Sequence, residues 1–199
     1  RGEAGNYWIN DRPMYDKTFC TPGCPAEIRT ETEGPLCGSI VAKVSVNLPA
    51  DSDKTRRSRH RKPLEITTRY SLKKGKRQVD VNVTFENHCE NHYLKVHFPT
   101  DLKGATHADA GGHFIVNRRS VTPSGPDEHS YWPDMNTLPQ KSFVDLSDAN
   151  FGLAVINDSL TEYEVLDDSR KTLSLSLLRS VRNWICTEIR AGSNFPSQK

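Results

Sequence analysis

This chain of 199 residues lacks several features that would assign it to a functional class. No apolar run approaches the roughly 18 residues that a membrane-spanning helix needs, so we predict no membrane segment. The net charge is only +2, which by itself does not favour a nucleic-acid partner. The five cysteines are odd in number and irregularly spaced, which argues against a disulfide framework. Cys20 and Cys24 could bridge across a turn, but thiols are the favoured state.

Apolar residues make up only 35% of the chain, and they recur with a period of two, which is the period of a β-strand with one buried face. We predict strands over residues 40–48, 64–72, 79–85, 94–98, 114–116, 143–146, 152–156, 162–165 and 173–177. Tight polar turns separate many of these runs, and no amphipathic helix of three turns is present. The sequence therefore predicts an all-β fold, an antiparallel β-sandwich with eight or nine strands.

The two ends of the chain differ from this pattern. Residues 1–35 contain Gly, Pro and aromatic residues without clear periodicity, so we predict a connecting segment that packs on the sandwich or on a preceding domain. Residues 36–199 are predicted to form the β-sandwich domain. The chain starts on Arg1 without an initiator Met or signal peptide, and it ends in a polar tail. We interpret it as a fragment or excised domain, truncated at its C-terminus.

A series of short motifs carries a resemblance to a known family. The motifs are Asp-Leu-Ser-Asp at 145–148, Gly-Leu-Ala-Val-Ile-Asn-Asp at 152–158, Glu-Tyr-Glu-Val at 162–165 and Leu-Leu-Arg-Ser at 177–180. Gly-Pro-Leu at 34–36 and Phe-Pro-Thr-Asp-Leu at 98–102 agree with it. Their order resembles glycoside hydrolase family 38, the zinc-dependent α-mannosidases. The resemblance implies the sandwich region that follows the catalytic barrel, of the galactose-mutarotase-like supersandwich type.

The same resemblance places the chemistry outside this chain. In that family the zinc ion and the aspartate nucleophile belong to an N-terminal α/β barrel, so we expect no catalytic residue, metal ligand or cofactor here. The expected partners are the barrel of the same polypeptide and, through the parent enzyme, an α-mannoside. The family's sandwich also supplies an arginine to the rim of the active site, and Arg179 is the best match. The alternative roles of Arg179 are an interdomain salt bridge and a sheet-edge position.

Four further groups of residues invite functional hypotheses, each with a plainer alternative. The basic segment 54–62 has the composition of a phosphate or acidic-glycan patch, but a solvated loop is favoured. The run His88-Cys89-Glu90-Asn91-His92 suggests zinc, but a hairpin turn is favoured. Glu162 and Glu164 could form a glycosidase pair, but the solvent face of a strand is favoured. Tyr131 and Trp132 could stack on a sugar, but packing on the sandwich is favoured.

The sequence thus predicts an accessory β-sandwich of a retaining α-mannosidase that hydrolyses terminal α-mannosides. Its role would be to support the barrel and part of the substrate rim, and the chain alone should hydrolyse nothing. The alternative is a free-standing carbohydrate-binding β-sandwich module. An exposed apolar docking patch distinguishes them, and we expect it at residues 1–35 and at the loop carrying Tyr131 and Trp132.

Overall fold

The computed structural model describes residues 1–6, 11–122 and 137–182. In these residues twelve strands form three four-stranded sheets. The described part contains no helix long and apolar enough to cross a membrane. The chain divides into two compact units. The first comprises Arg1–Gly5, Asp11–His92 and Ser180–Lys199, and the second comprises Asn6–Asn10 and Tyr93–Arg179.

The first unit is built on one antiparallel sheet, here called sheet I. Its strands follow one another in the order β1 (Ala26–Glu33), β2 (Cys37–Pro49), β3 (Arg61–Lys73) and β4 (Val79–Phe85). The turn between β3 and β4 contains Gly75 with a φ of 77°, a left-handed backbone that glycine adopts without strain. The predicted hairpin at this point is confirmed by the pairing of Leu72 with Val79.

The second unit contains two sheets. Sheet II has the strand order β10-β9-β6-β7, and sheet III has the order β5-β12-β11-β8. Their bounds are β5 His92–Phe98, β6 His107–Gly111, β7 Val116–Ser120, β8 Leu138–Pro139, β9 Phe143–Ser147, β10 Gly152–Ile156, β11 Glu162–Leu166 and β12 Thr172–Ser180. The first residue of β5 and the last residue of β12 are grouped with the first unit.

Apolar residues from both sheets form one core in the second unit. Sheet II contributes Ala108 and Ala110 from β6 and Val144 and Leu146 from β9; sheet III contributes Tyr163, Leu173 and Leu175. Val144, Leu146 and Leu173 are completely buried, which confirms that alternate residues of these strands point inward. Two antiparallel sheets enclosing one core are a β-sandwich, so the predicted all-β class is confirmed.

Three strands were not predicted from the sequence. All eight residues of strand β1 are exposed, and its sequence shows no apolar alternation. The inward residues of β6 are alanines, whose small side chains give a weak pattern. Strand β8 has only two residues. The strand predicted over 114–116 begins only at Val116. Phe114 lies in the bend before it and is 98% exposed.

The division of the chain into a connecting segment, 1–35, and a domain, 36–199, stays a prediction. Strand β1 lies inside that segment and pairs with β2 along seven register positions, from Ala26↔Val44 to Glu33↔Gly38. Cys20, Cys24, Cys37 and Cys89 are free thiols, as favoured from the sequence. Cys186 lies outside the described residues.

Candidate functional site

Polar side chains on three strands of sheet III meet on the face opposite the core, and we call them the Tyr93 network. Its members are Tyr93, Lys95 and His97 on β5, Glu162 and Glu164 on β11, and Ser174 and Ser176 on β12. Members of one strand are two residues apart, so they share a face of the sheet. The register of β11 and β12 places Glu164 directly opposite Ser174.

Tyr93 lies at the centre of this network. Its side chain is almost fully buried and its hydroxyl donates a hydrogen bond of 2.9 Å to Glu162 Oε2. Burial raises the pKa of Tyr93 to about 12, and the charge of Glu162 acts in the same direction. The phenol therefore keeps its proton near neutral pH and acts as a donor to Glu162. The hydroxyl of Ser176, 2.5 Å away, is then placed to donate to the phenol oxygen.

Two cations flank the ring of Tyr93. The ammonium nitrogen of Lys95 lies 4.7 Å from the ring centroid, and the guanidinium carbon of Arg179 lies 6.0 Å from it. Both distances fall within the range of cation–π attraction. The Tyr93 ring thus contacts two positively charged side chains.

Lys95 also forms an ion pair with Glu164. Their side chains are only 8% and 11% exposed. The face that carries Glu162 and Glu164 was expected to be solvated, and this expectation is wrong, because β5 supplies Tyr93 and Lys95 as partners. Since each carboxylate already accepts a hydrogen bond from the network, the geometry favours a structural role over a catalytic pair.

His97 lies at the more exposed edge of the network. Its Nδ1 lies 2.8 Å from the hydroxyl of Ser174. Loss of water around the ring lowers the pKa of His97, and the charge of Lys95 lowers it further. The imidazole is therefore neutral near neutral pH, and it adds no third positive charge beside Lys95 and Arg179.

Arg179 reaches the network from the end of β12. Its guanidinium donates a hydrogen bond of 2.6 Å to the carbonyl oxygen of Asn6, and the residue is half-buried. The backbone carbonyl and the Tyr93 ring are two of the groups that orient the guanidinium. A guanidinium held in this way can donate to the hydroxyl groups of a sugar. The assignment of Arg179 to the substrate rim stays a prediction.

The other candidate residues do not assemble into a site of their predicted kind. Within the described residues, no three His, Cys, Asp or Glu side chains lie together so as to hold a metal ion. The run 88–92 does not form a hairpin turn, because β4 and β5, which flank it, lie in different sheets. Cys89 and His92 are buried instead, each only 2% exposed. Tyr131 and Trp132 lie outside the described residues.

Sheet I carries a second candidate surface, which we call the apolar patch. Its members, and their exposed fractions, are Ile28 (65%), Ile40 (43%), Tyr70 (40%), Leu72 (53%), Val79 (54%) and Val81 (46%). The register places Ile40 opposite Tyr70, and Tyr70 opposite Val81, and Ile28 on β1 lies on the same face, so the patch crosses all four strands. A shallow groove of about 470 Å³ runs over the part of the patch that contains Ile40, Tyr70, Leu72 and Val79.

The opposite face of sheet I has the polar character expected of a solvated surface. It carries ion pairs between Lys43 and Glu65 at 3.1 Å and between Lys73 and Asp80 at 3.2 Å. The contrast between the faces shows that the patch is not simply the solvent side of the sheet. The sequence predicted an exposed apolar patch at residues 1–35 and at the loop of Tyr131 and Trp132. Ile28 is the member of the observed patch within residues 1–35, most of the patch lies on β2, β3 and β4, and the loop is outside the described residues.

Comparison with known proteins places this chain among carbohydrate-active enzymes. Residues 2–183 match the family model described as the glycosyl hydrolases family 38 C-terminal domain. The chain is 26% identical over 196 residues to a protein from Halalkalibacterium halodurans described as a mannosylglycerate hydrolase. That alignment covers 90% of this chain and 21% of the relative.

Two solved structures have the same fold. One is an alpha-mannosidase from Enterococcus faecalis V583, with a TM-score of 0.83 and 29% identity. The other is a family 38 protein from Enterococcus faecalis, with a TM-score of 0.80 and 28% identity. Each match covers 92% of this chain and 22% of the solved chain, so this chain spans about a fifth of the length of these relatives. The chain belongs to glycosyl hydrolase family 38 and corresponds to the C-terminal domain of that family.

Proposed function

We propose that this chain is an accessory β-sandwich of a retaining α-mannosidase that hydrolyses terminal α-mannosides. In this proposal the chain supports the catalytic barrel and contributes Arg179 to the substrate rim. The zinc ion and the carboxylates that cleave the glycosidic bond belong to the remainder of the enzyme. This chain's own part is to dock, and to hold a cation and its supporting network in position.

The apolar patch carries the proposal. Soluble proteins rarely leave a contiguous apolar surface uncovered unless something binds there. The proposed occupant is the remaining length of the same polypeptide, because the relatives are about five times longer than this chain. Burial of a valine or leucine side chain contributes about 1.5–3 kcal/mol. A few members of the patch are therefore enough to hold the domain against its neighbour.

The Tyr93 network supports the second part of the proposal. A residue on a substrate rim must keep its orientation, and a hydrogen bond to a backbone carbonyl and contact with an aromatic ring help to orient Arg179. The network beneath it is buried and extensively hydrogen-bonded, which fixes the position of Tyr93. A guanidinium presents its N–H donors in a fixed planar array, which suits the hydroxyl groups of a sugar.

The test is hydrolysis of an aryl α-mannoside by the longest native form of this protein, with and without a metal chelator. The same assay is run on the 199-residue chain, whose folding is checked by circular dichroism. We expect activity that the chelator abolishes in the long form and no activity in the short one. Activity of the short chain would contradict the accessory role. Tight glycan binding by a monomeric short chain, with no hydrolysis by either form, would support the carbohydrate-binding module instead.

A further inference from the structure

The basic segment 54–62 is folded against the N-terminal part of the first unit and is not a free loop. The backbone N–H groups of Met14 and Tyr15 donate to the carbonyls of Lys54 and Thr55, at 2.9 and 2.8 Å. The carboxylate of Asp53 accepts from the N–H groups of Thr55 and Arg56 at 2.7 and 2.8 Å. The segment is mostly an exposed loop between β2 and β3, as predicted, but these hydrogen bonds fix its backbone. Its cationic side chains are held in fixed positions relative to residues 14–19.

Three of the cations near this segment converge on one aromatic ring. The guanidinium carbons of Arg61 and Arg57 lie 5.1 and 5.3 Å from the centroid of the Phe19 ring, and the ammonium of Lys17 lies 5.9 Å from it. They line an open cleft of about 310 Å³, which we call the Phe19 cleft. Its lining also includes Arg56 and Arg59 but, within the described part of the chain, no acidic residue.

Arg57 is the most deeply placed of these cations. Its side chain is 6% exposed, and its Nε has no hydrogen-bond partner among the described residues. The carboxylate of Asp16 is 4.0 Å from that nitrogen, beyond hydrogen-bond distance. Burial lowers the pKa of Arg57, which reflects the cost of keeping this charge away from water. The guanidinium has Asp16 as an ion-pair partner at 4.0 Å and donates a hydrogen bond of 3.4 Å to the carbonyl of Lys17, but it lies among several further cations. An anion bound in the cleft would offset the repulsion between these cations.

We propose that the Phe19 cleft binds a phosphate dianion, either free or as the monoester of a small molecule. Guanidinium groups match the tetrahedral oxygens of phosphate with paired N–H donors, and phosphate offers enough acceptors for several of them. The volume of the cleft lies at the lower end of the range for small-molecule sites, which suits a phosphomonoester. Among the described residues, the aromatic lining of the cleft consists of Tyr15 and Phe19, and the cations lie against the ring of Phe19.

The experiment is calorimetric titration of the protein, in its longest native form, with inorganic phosphate and with phenyl phosphate. Saturable binding is expected for both probes if the site takes monoesters, and for inorganic phosphate alone if it takes only the free ion. Binding of phenyl phosphate should strengthen between pH 5 and pH 7, because the second proton of a phosphate monoester leaves near a pKa of about 6. Binding of inorganic phosphate, which is a weaker acid at this step, should strengthen at higher pH. Chloride at equal ionic strength should not compete.

Two variants and one control locate the site. Arg59→Gln and Arg61→Gln remove exposed guanidinium groups, so they test the cleft without disturbing the buried Arg57. Each should weaken phosphate binding about tenfold, which corresponds to the loss of one charged hydrogen bond. Lys62→Gln removes the same charge from the same segment but outside the cleft, so it should leave binding unchanged.

Three results would overturn the proposal. One is the absence of saturable binding to either probe. Another is an equal loss of affinity in Lys62→Gln and Arg61→Gln, which would mean that the whole segment attracts anions without a site. The third is tight binding of an oligonucleotide that phosphate does not displace and that salt weakens steeply, which would assign the surface to a polyanion. The mannosidase assay plays no part here, so failure of this proposal leaves the proposed function intact.

Discussion

Tyr93 on β5 and Glu162 on β11 are 69 residues apart in the sequence, and the phenol of one donates a hydrogen bond of 2.9 Å to the carboxylate of the other. The two strands are not neighbours in sheet III, since β12 lies between them. Ser176 on that middle strand contacts the same phenol. One hydroxyl therefore links three strands, and its removal affects all three.

We predict that Tyr93→Phe lowers the free energy of unfolding by about 1–3 kcal/mol, because it leaves partners in a buried network without their hydrogen bond. Tyr70→Phe is the matched control, since Tyr70 lies on the apolar patch and is 40% exposed. It should change stability by less than about 0.5 kcal/mol. Urea unfolding measures both values. Equal effects of the two substitutions would mean that the Tyr93 hydroxyl contributes nothing specific.

The titration of Tyr93 gives a prediction for alkaline pH. Burial raises the pKa of this phenol from 10.0 to about 12, so the folded state favours the protonated form. The corresponding stability is fully present below pH 10 and is lost as the pH rises from 10 towards 12. Phenolate absorbance should show a late ionisation step that Tyr93→Phe removes. A titration curve unchanged by the substitution would contradict the prediction.

The buried ion pair of Lys95 and Glu164 should behave unlike an exposed pair on sheet I. Lys95→Met alone or Glu164→Gln alone should destabilise the protein by about 3–5 kcal/mol, because the remaining partner stays buried. The double variant should cost less than the sum of the two. Lys43 and Glu65 form the control cycle, since their side chains are 48% and 62% exposed. Their coupling should not exceed about 1 kcal/mol.

Most strands of sheets I and III were predictable because their apolar residues alternate. The bounds of β4 and β10 agree with the prediction at both ends. Those of β4 are defined by the alternating residues Val79, Val81, Val83 and Phe85, and those of β10, in sheet II, by the continuous run Gly152–Ile156. The strand β6 escaped because Ala108 and Ala110 add little hydrophobic signal, although both are buried. A strand whose core neighbours are large can use alanine on its inner face, and no local pattern reveals this.

The Tyr93 network could not be predicted from strand periodicity. Alternation showed that Glu162 and Glu164 share a face, but not which strand would cover or neighbour that face. A signal was present in β5, where Tyr93, Lys95 and His97 also alternate. The polar residues of β5 and β11 meet because both strands lie beside β12 in one sheet. This strand order is a property of the topology, on which periodicity carries no information.

The apolar patch leads to a prediction on the long form of the protein. Val81→Lys places a charge on the β4 side of the patch, and if the rest of the polypeptide covers it, stability should fall by about 2 kcal/mol or more. Thr84→Lys adds the same charge to the opposite face of the same strand, where a lysine remains solvated. Thermal unfolding and mannoside hydrolysis are measured on both variants. Identical behaviour of the two would mean that the patch is exposed to solvent in the long form.

Arg179 gives the most direct test of the substrate rim. In the long form, Arg179→Ala should lower kcat/KM for an aryl α-mannoside about 10- to 100-fold, which corresponds to the loss of one charged hydrogen bond to the sugar. Arg179→Lys should recover only part of this loss, because an ammonium cannot reproduce the planar array of donors. Separate values of kcat and KM show whether the contact is made in the ground state or only in the transition state.

The control for this series is Arg170→Ala. Arg170 is exposed and makes two hydrogen bonds to Asp101, at 2.9 and 2.8 Å, on the surface of the second unit. Its removal deletes a guanidinium of equal charge without touching the Tyr93 network, so kcat/KM should stay unchanged. If Arg179→Ala lowers the unfolding free energy but leaves kcat/KM intact, the residue is an interdomain or sheet-edge contact. Its guanidinium would then act in stabilising the domain, with Asn6 and the Tyr93 ring among its contacts.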